Sequence, residues 1–272
     1  MSLEEQVERA NRGDRAALEA VVRAIQDKVY GIALRMLWHP EDALDATQEI
    51  LTRVVTHLSE FRGESAFLTW VYRIACNALL SFRRNRLESQ GLTFESFGAD
   101  LAEGLEDPAP PVEDAILLEE VKIGCTLALL SCLDRPHRLA YVLGEVLELD
   151  GPEAAAALAI SPEAYRKRLS RARAEVVDFT RGHCGLVNPD GPCRCHKRAP
   201  RAIALGRVDP KRQLFARDEE KARAFPAVLA QIRQLEEARR AAALYRSHPE
   251  PRSPTDFAQA MRELVEKAVL RT

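Results

Sequence analysis

Three cysteines and two histidines crowd one short stretch, His183-Cys184-Gly-Leu-Val-Asn-Pro-Asp-Gly-Pro-Cys193-Arg-Cys195-His196. The Pro-Asp-Gly-Pro turn at 189–192 folds such a loop back and carries Cys184 toward Cys193 and Cys195. Thiolates and an imidazole in a closed loop suit tetrahedral zinc. The simplest ligand set is Cys184, Cys193, Cys195 and His196, with His183 as the alternative fourth ligand. The Cys-x-Cys spacing is tighter than that of an ordinary finger, which leaves copper(I) open as the metal. Two other readings compete: free thiols in a basic loop, or a reversible disulfide helped by Arg194, Lys197 and Arg198 lowering thiol pKa values. Cys76, Cys125 and Cys132 stand alone in apolar surroundings, where a buried thiol is expected.

A second chemistry-bearing stretch, Phe61-Arg-Gly-Glu-Ser-Ala-Phe67-Leu-Thr-Trp70-Val-Tyr-Arg73, sets aromatics beside arginines in a loop that enters a helix. Aromatics next to cations stack unpaired bases while holding their backbone, although Phe67 and Trp70 suit an ordinary core equally well. Glu41, Asp42, Asp45 and Glu49 make an acidic patch one helix earlier, better suited to a basic protein partner than to DNA. Further on, Asp150-Gly-Pro-Glu153 and Ser161-Pro162-Glu163 each read as a helix start, with an acceptor at the N-cap and Pro in the first turn. Two short-coupled helices make a helix-turn-helix. The second carries Arg166, Lys167, Arg168, Arg171 and Arg173 outward and buries Tyr165, Leu169, Ala172 and Val176, which suits phosphates and base edges in a major groove. A solvated basic helix packed on the acidic stretch before it is the bland alternative.

The elements that must position these residues are helical. The 272 residues are 46% hydrophobic and 29% charged, with a net charge of −2. That is enough apolar content for several small cores and too much for a disordered chain. Apolar residues recur at three- and four-residue steps and no strand is readable, so the expected fold is all-α. Residues 1–87 read as a bundle of three or four helices. Residues 88–112, acidic and rich in Gly and Pro, read as a flexible linker. Residues 113–182 read as four helices ending in the basic one, 183–216 as a loop-rich Cys/His segment, and 217–272 as an extension of two amphipathic helices, about 217–246 and 255–270. No apolar run is long enough to span a membrane and the N-terminus is polar, which points to a cytoplasmic protein.

Three of these stretches, in order, closely resemble bacterial extracytoplasmic-function sigma factors: Pro40-Glu-Asp-Ala-Leu-Asp-Ala-Thr-Gln-Glu-Ile50, the run from Phe61 to Asn85, and Ile160-Ser-Pro-Glu-Ala-Tyr-Arg-Lys-Arg-Leu-Ser-Arg-Ala-Arg173. The resemblance covers about residues 5–182. It implies that 1–87 is sigma region 2 and 113–182 is region 4, joined by the linker, with RNA polymerase core and promoter DNA as partners and room for an anti-sigma partner. It implies core docking by Asp42, Asp45, Gln48 and Glu49. It implies −10 contacts by the loop Phe61, Arg62, Gly63, Glu64 and Ser65 and by Asn77, Arg83 and Arg84, with Trp70 among the stacking aromatics. It implies −35 contacts by Arg166, Lys167, Arg168 and Arg171. Cys76, Ser81 and Ala154 to Ala157 depart from the family pattern and put the promoter sequence, not the fold, in question.

No acid–base pair, activated nucleophile or phosphate-cradling loop is readable, so no enzyme is expected. The expected function is promoter recognition, DNA opening and transcription initiation, regulated through the Cys/His extension. The alternatives are a metal- or redox-sensing helix-turn-helix regulator that never docks on polymerase, and a metal-dependent thiol oxidoreductase.

Overall fold

A computed structural model describes residues 2–83, 86–89, 91–103, 105, 112–216 and 218–269. In chain order the first helices are α1 (Leu3–Asn11), α2 (Arg15–Leu37), α3 (Pro40–Thr56), α4 (Phe67–Ser81), α5 (Arg86–Ser89), α6 (Phe94–Ala102) and α7 (Ala115–Ser131). There follow α8 (Arg135–Tyr141), α9 (Gly151–Ala157), α10 (Pro162–His183), α11 (Cys195–Ala204), α12 (Glu219–Gln234), α13 (Glu237–Arg246) and α14 (Ala258–Val269). Among the described residues the only extended pairings are isolated bridges, so the all-α expectation holds.

The chain compacts into two units that do not follow the sequence blocks: Met1–Asn85 with Leu149–Arg166 and Glu250–Thr272, and Arg86–Glu148 with Lys167–Pro249. In the first unit, caps set the helix starts. The Asp14 side chain accepts from the Ala17 N–H at 3.0 Å and starts α2, while Pro40 occupies the first turn of α3. The apolar stripes read from the sequence are the core: Val22, Ile25, Val29, Ile32 and Met36 of α2, Ile50, Leu51 and Val54 of α3, and Phe67, Val71 and Leu79 of α4 are all 0% exposed. The C-terminal segment joins this core. Phe257, Ala258 and Met261 are buried, Arg262 pairs with Glu19 at 2.7 Å, and the Ser253 N–H donates to Asp27 at 2.9 Å.

In the second unit, Leu129, Leu130, Tyr141 and Val142 meet Ala172, Val176 and Phe179 of α10 and Ala241 and Tyr245 of α13. Phe97 and Leu101 belong to the same cluster, so within the span 88–112 expected as a flexible linker the stretch 94–102 is instead a packed helix. Thr93 and Ser96 form a capping box, and Phe94, Phe97 and Leu101 recur at helical steps, so α6 has an apolar face to bury. Residues 104 and 106–111 of that stretch lie outside the described residues.

The extension differs from expectation in two further ways. The loop-rich segment contains a helix, α11, whose Ala199 and Ala202 pack with Val121 of α7. The expected helix at 217–246 breaks at Leu235 and Glu236, both extended, so α12 and α13 are separate. The extension is pinned to α7 by a buried carboxylate. Glu120, 2% exposed, accepts the N–H groups of Leu214, Phe215 and Ala216 at 2.7, 2.9 and 2.7 Å. Buried charge is tolerated where hydrogen bonds satisfy it, and three donors do so here.

Candidate nucleic-acid interface

The N-terminus of α4 carries the first candidate surface. Arg62 through Ala66 are exposed, and Gly63 sits at φ +72°, a conformation that disfavours any side chain. Behind the loop three rings lock together: Phe61 and Phe67 meet edge-on at 5.2 Å, Phe67 and Trp70 stack at 5.7 Å, and Phe61 and Trp70 lie 5.7 Å apart. Phe67 is wholly buried and anchors the cluster, whereas Phe61 and Trp70 are half-exposed. Asn77 is exposed on the same helix.

Asp45, Gln48 and Glu49 are exposed on α3, and Asp42 is half-buried beside them. Spacings of three and four residues place Asp42, Asp45 and Glu49 on one face. Arg83, expected among the DNA contacts, donates to Asp42 at 2.8 Å and Asp45 at 2.9 Å, so it lies against the acidic face. Asp45, Glu49, Arg53, Ser81, Phe82 and Arg83 line a shallow depression there. Arg84 lies outside the described residues.

The helix-turn-helix forms as its caps require. Asp150 accepts from the Glu153 N–H at 2.7 Å and Ser161 from the Ala164 N–H at 3.2 Å. Between them α9 closes with paired bonds, Ala159 N–H to the Ala156 carbonyl and Ile160 N–H to the Ala155 carbonyl, both 3.1 Å. This closure puts exposed Ala159 at φ +52°, where glycine is at ease and alanine is strained. Ala159→Gly is therefore expected to stabilise the chain by about 1 kcal/mol in urea unfolding, and an unchanged midpoint would count against strain at this turn. The alanines of α9 are its buried face, Ala154, Ala155 and Ala157, and they let α9 pack closely on α4. There Glu153 accepts from the Thr69 hydroxyl at 2.8 Å. Arg166, Lys167 and Arg171 are exposed on α10 and Arg168 is half-exposed, whereas Arg173 is held by Glu145.

The Cys/His loop folds back as its turn predicts: Cys184 and Cys193 are bridged in parallel. The full expected ligand set does not assemble. Among the described residues no three or more His, Cys, Asp or Glu side chains are arranged to hold a metal ion. His196 is exposed in the first turn of α11. His183 stacks on Phe179 at 4.4 Å, with its Nδ1 3.0 Å from the Phe179 carbonyl oxygen. The expected lowering of thiol pKa values is also reversed. Burial pushes Cys193 up to about 11 and raises Cys184 and Cys195, outweighing Arg194 and Arg198.

The family model of sigma-70 region 2 matches residues 21–87. The chain is 33% identical over 178 residues to the RNA polymerase sigma-H factor of Pseudomonas aeruginosa, covering 63% of this chain and 90% of that protein. It is 32% identical over 180 residues to the ECF RNA polymerase sigma-E factor of Escherichia coli K12, with the same coverage. The chain belongs to the ECF sigma factors. SigW of Bacillus subtilis is 28% identical over 179 residues, covering 64% of this sigma factor and 94% of its own length. A solved structure, CnrH in complex with the cytosolic domain of CnrY, aligns with a TM-score of 0.45 at 23% identity, over 62% of this chain and 91% of that one.

As an ECF sigma factor the protein directs transcription initiation and is not an enzyme. Membership decides between the first two readings of the sequence, because a sigma factor works as a polymerase subunit and not as a free regulator. No helix among the described residues is long and apolar enough to cross a membrane. The matches leave more than a third of this sigma factor outside the shared stretch, since they cover 63–64% of it.

Proposed function

We propose that this sigma factor docks on the RNA polymerase core through Asp42, Asp45, Gln48 and Glu49, captures an unpaired base of the −10 element with the Phe61–Ser65 loop, and reads the −35 element with Arg166, Lys167, Arg168 and Arg171. The observation that carries the reading is the loop itself: five exposed residues, Arg62 to Ala66, standing on a rigid three-ring base. A preformed loop loses little entropy when a base enters, and stacking contributes about 1–3 kcal/mol per base. The polymerase performs the chemistry, in the cytoplasm where it works.

Regulation by the C-terminal extension belongs to the same proposal. Its support is that residues 250–266 clasp region 2 directly. Arg23 pairs with Asp256 at 3.2 Å, the Phe257 N–H donates to Gln26 at 3.0 Å, and the Thr52 hydroxyl, one helical turn from Gln48, approaches the Met261 sulfur at 3.8 Å. A segment seated beside the core-docking residues competes for, or positions, the same face.

Charge reversal tests the docking assignment. The double variant Asp45→Lys, Glu49→Lys is expected to lose co-elution with polymerase core and promoter-dependent transcription while its thermal unfolding is unchanged, because both side chains are exposed. Undiminished co-elution would sink the assignment of this face. Deleting residues 250–272 in the same assay tests the extension: altered core affinity supports a regulatory role, and unaltered affinity with unaltered transcription removes it.

A further inference from the structure

Two departures from the family pattern, Cys76 and the run Ala154 to Ala157, lie on helices that pack together, α4 and α9. α4 is buried on two sides. Phe67, Val71, Ala75 and Ala78 share one side by helical spacing, Thr69, Tyr72 and Cys76 share the other, and none of the seven is more than 7% exposed. α2, α3 and α9 all pack on α4, and a hydrogen bond fixes which side α9 takes: Glu153 accepts from the Thr69 hydroxyl at 2.8 Å. Burial raises the Tyr72 pKa, and the Glu153 charge adds to it. α9 brings alanines to the contact, since Ala154, Ala155 and Ala157 are 0–1% exposed. A face of methyl groups permits close approach yet buries little area, so it fits its partner without holding it strongly.

This contact brings the two DNA-reading motifs too close together for the task proposed for them. Glu153 meets α4 at Thr69, three residues past the end of the exposed 62–66 loop, and Arg171 lies 18 residues beyond Glu153. Eighteen residues of helix span no more than about 27 Å. Elements centred at −10 and −35 are about 25 base pairs apart, or about 85 Å along a straight duplex. A chain with α9 seated on α4 therefore reaches one element or the other, not both at once.

We infer that the Thr69, Tyr72 and Cys76 face of α4 is an intramolecular docking surface for the first helix of the helix-turn-helix, and that its occupation by α9, latched by Thr69 and Glu153, is a closed form of the sigma factor. α9 leaves α4 before both promoter elements are engaged. Polymerase core and promoter DNA drive the opening by binding the open form more tightly. The fraction held closed lowers apparent promoter affinity in proportion. The inference rests on the proposed assignment of the 61–65 loop and α10 to the two elements.

Two measurements on the full chain test it. For the first, azidophenylalanine placed at exposed Ser59 and exposed Ala156 of α9 carries a fluorophore pair. Energy transfer is expected to be efficient in the free chain and mostly lost in the complex with polymerase core and promoter DNA. Transfer that stays efficient in that complex overturns the closed form and makes the α4–α9 contact a permanent part of the fold. The second reads the latch through Cys76, which is 0% exposed and whose thiol burial pushes up to about 12. Under pulsed alkylation with N-ethylmaleimide, read peptide by peptide, Thr69→Val and Glu153→Arg should label Cys76 at least about 10-fold faster than wild type. Glu153→Gln, which keeps an acceptor for Thr69, should stay near the wild-type rate. Cys132, in the second unit, reports global unfolding and should label at an unchanged rate. Equal protection of Cys76 in wild type, Thr69→Val and Glu153→Arg overturns the latch, and if Cys76 and Cys132 speed up together the variants unfold and the transfer measurement alone decides. Failure of the promoter assignment is separate: Arg168→Ala without effect on promoter selection would remove the −35 role and leave both measurements on α4 and α9 as they stand.

Discussion

Trp70→Ala should lower promoter opening by between about 5-fold and about 100-fold, measured as heparin-resistant complexes with polymerase core, if the ring stacks an unpaired base or holds the loop that does. Trp70 is partly exposed and stacks on Phe67, so truncation removes contact area at the edge of the core. Trp70→Phe keeps a flat ring at the same position and should retain most of the activity. If Trp70→Ala opens promoters at the wild-type rate, the aromatic cluster is only packing and the base-capturing role of the 61–65 loop loses its support. A pre-opened bubble template separates the steps: the defect should shrink on it if Trp70 acts in melting, and persist if it acts in holding the separated strand.

Glu88→Ala should cost the second unit about 3–5 kcal/mol, the usual consequence of stranding one member of a buried ion pair. Glu88 accepts from Arg135 at 3.0 and 2.7 Å and from Arg138 at 2.9 Å. Arg138 is 1% exposed, and burial already draws its pKa below the ordinary guanidinium value against the pull of Glu88. The carbonyls of Ser131 and Leu133, at 3.1 and 2.8 Å, solvate the guanidinium but carry no countercharge. Both tryptophans, Trp38 and Trp70, lie in the first unit, so fluorescence follows that unit while circular dichroism follows both. The expected outcome is an early loss of helical signal in urea with the fluorescence transition little moved. Coincident, unshifted transitions would show that Glu88 is dispensable.

Much of the fold was legible because region 2 is written in period and caps. The stripe from Leu18 to Met36 and the one from Ala46 to Leu58 are buried along their length, since a helix with one apolar face has one face to hide. The helix-turn-helix was legible for the same reason: Asp150, Pro152, Ser161 and Pro162 act within a turn of their own position. The part of the expected linker at 94–102 was misread because glycine and proline content outweighed Phe94, Phe97 and Leu101, whose burial needs a partner surface that composition does not reveal. The −10 role of Arg83 came from the family resemblance, which does not show that Arg83 also pairs with Asp42 and Asp45 on another helix.

The sequence alone determined the helical class, the caps of the helix-turn-helix and the sigma-factor family, because periodicity, capping and motif spacing are local properties of the chain. Only the tertiary structure decided which distant groups meet: Glu88 with Arg138, Glu120 with the 214–216 backbone, and the C-terminal helix with α2. Such pairings depend on how apolar faces choose one another in three dimensions, and no spacing along the chain encodes that choice.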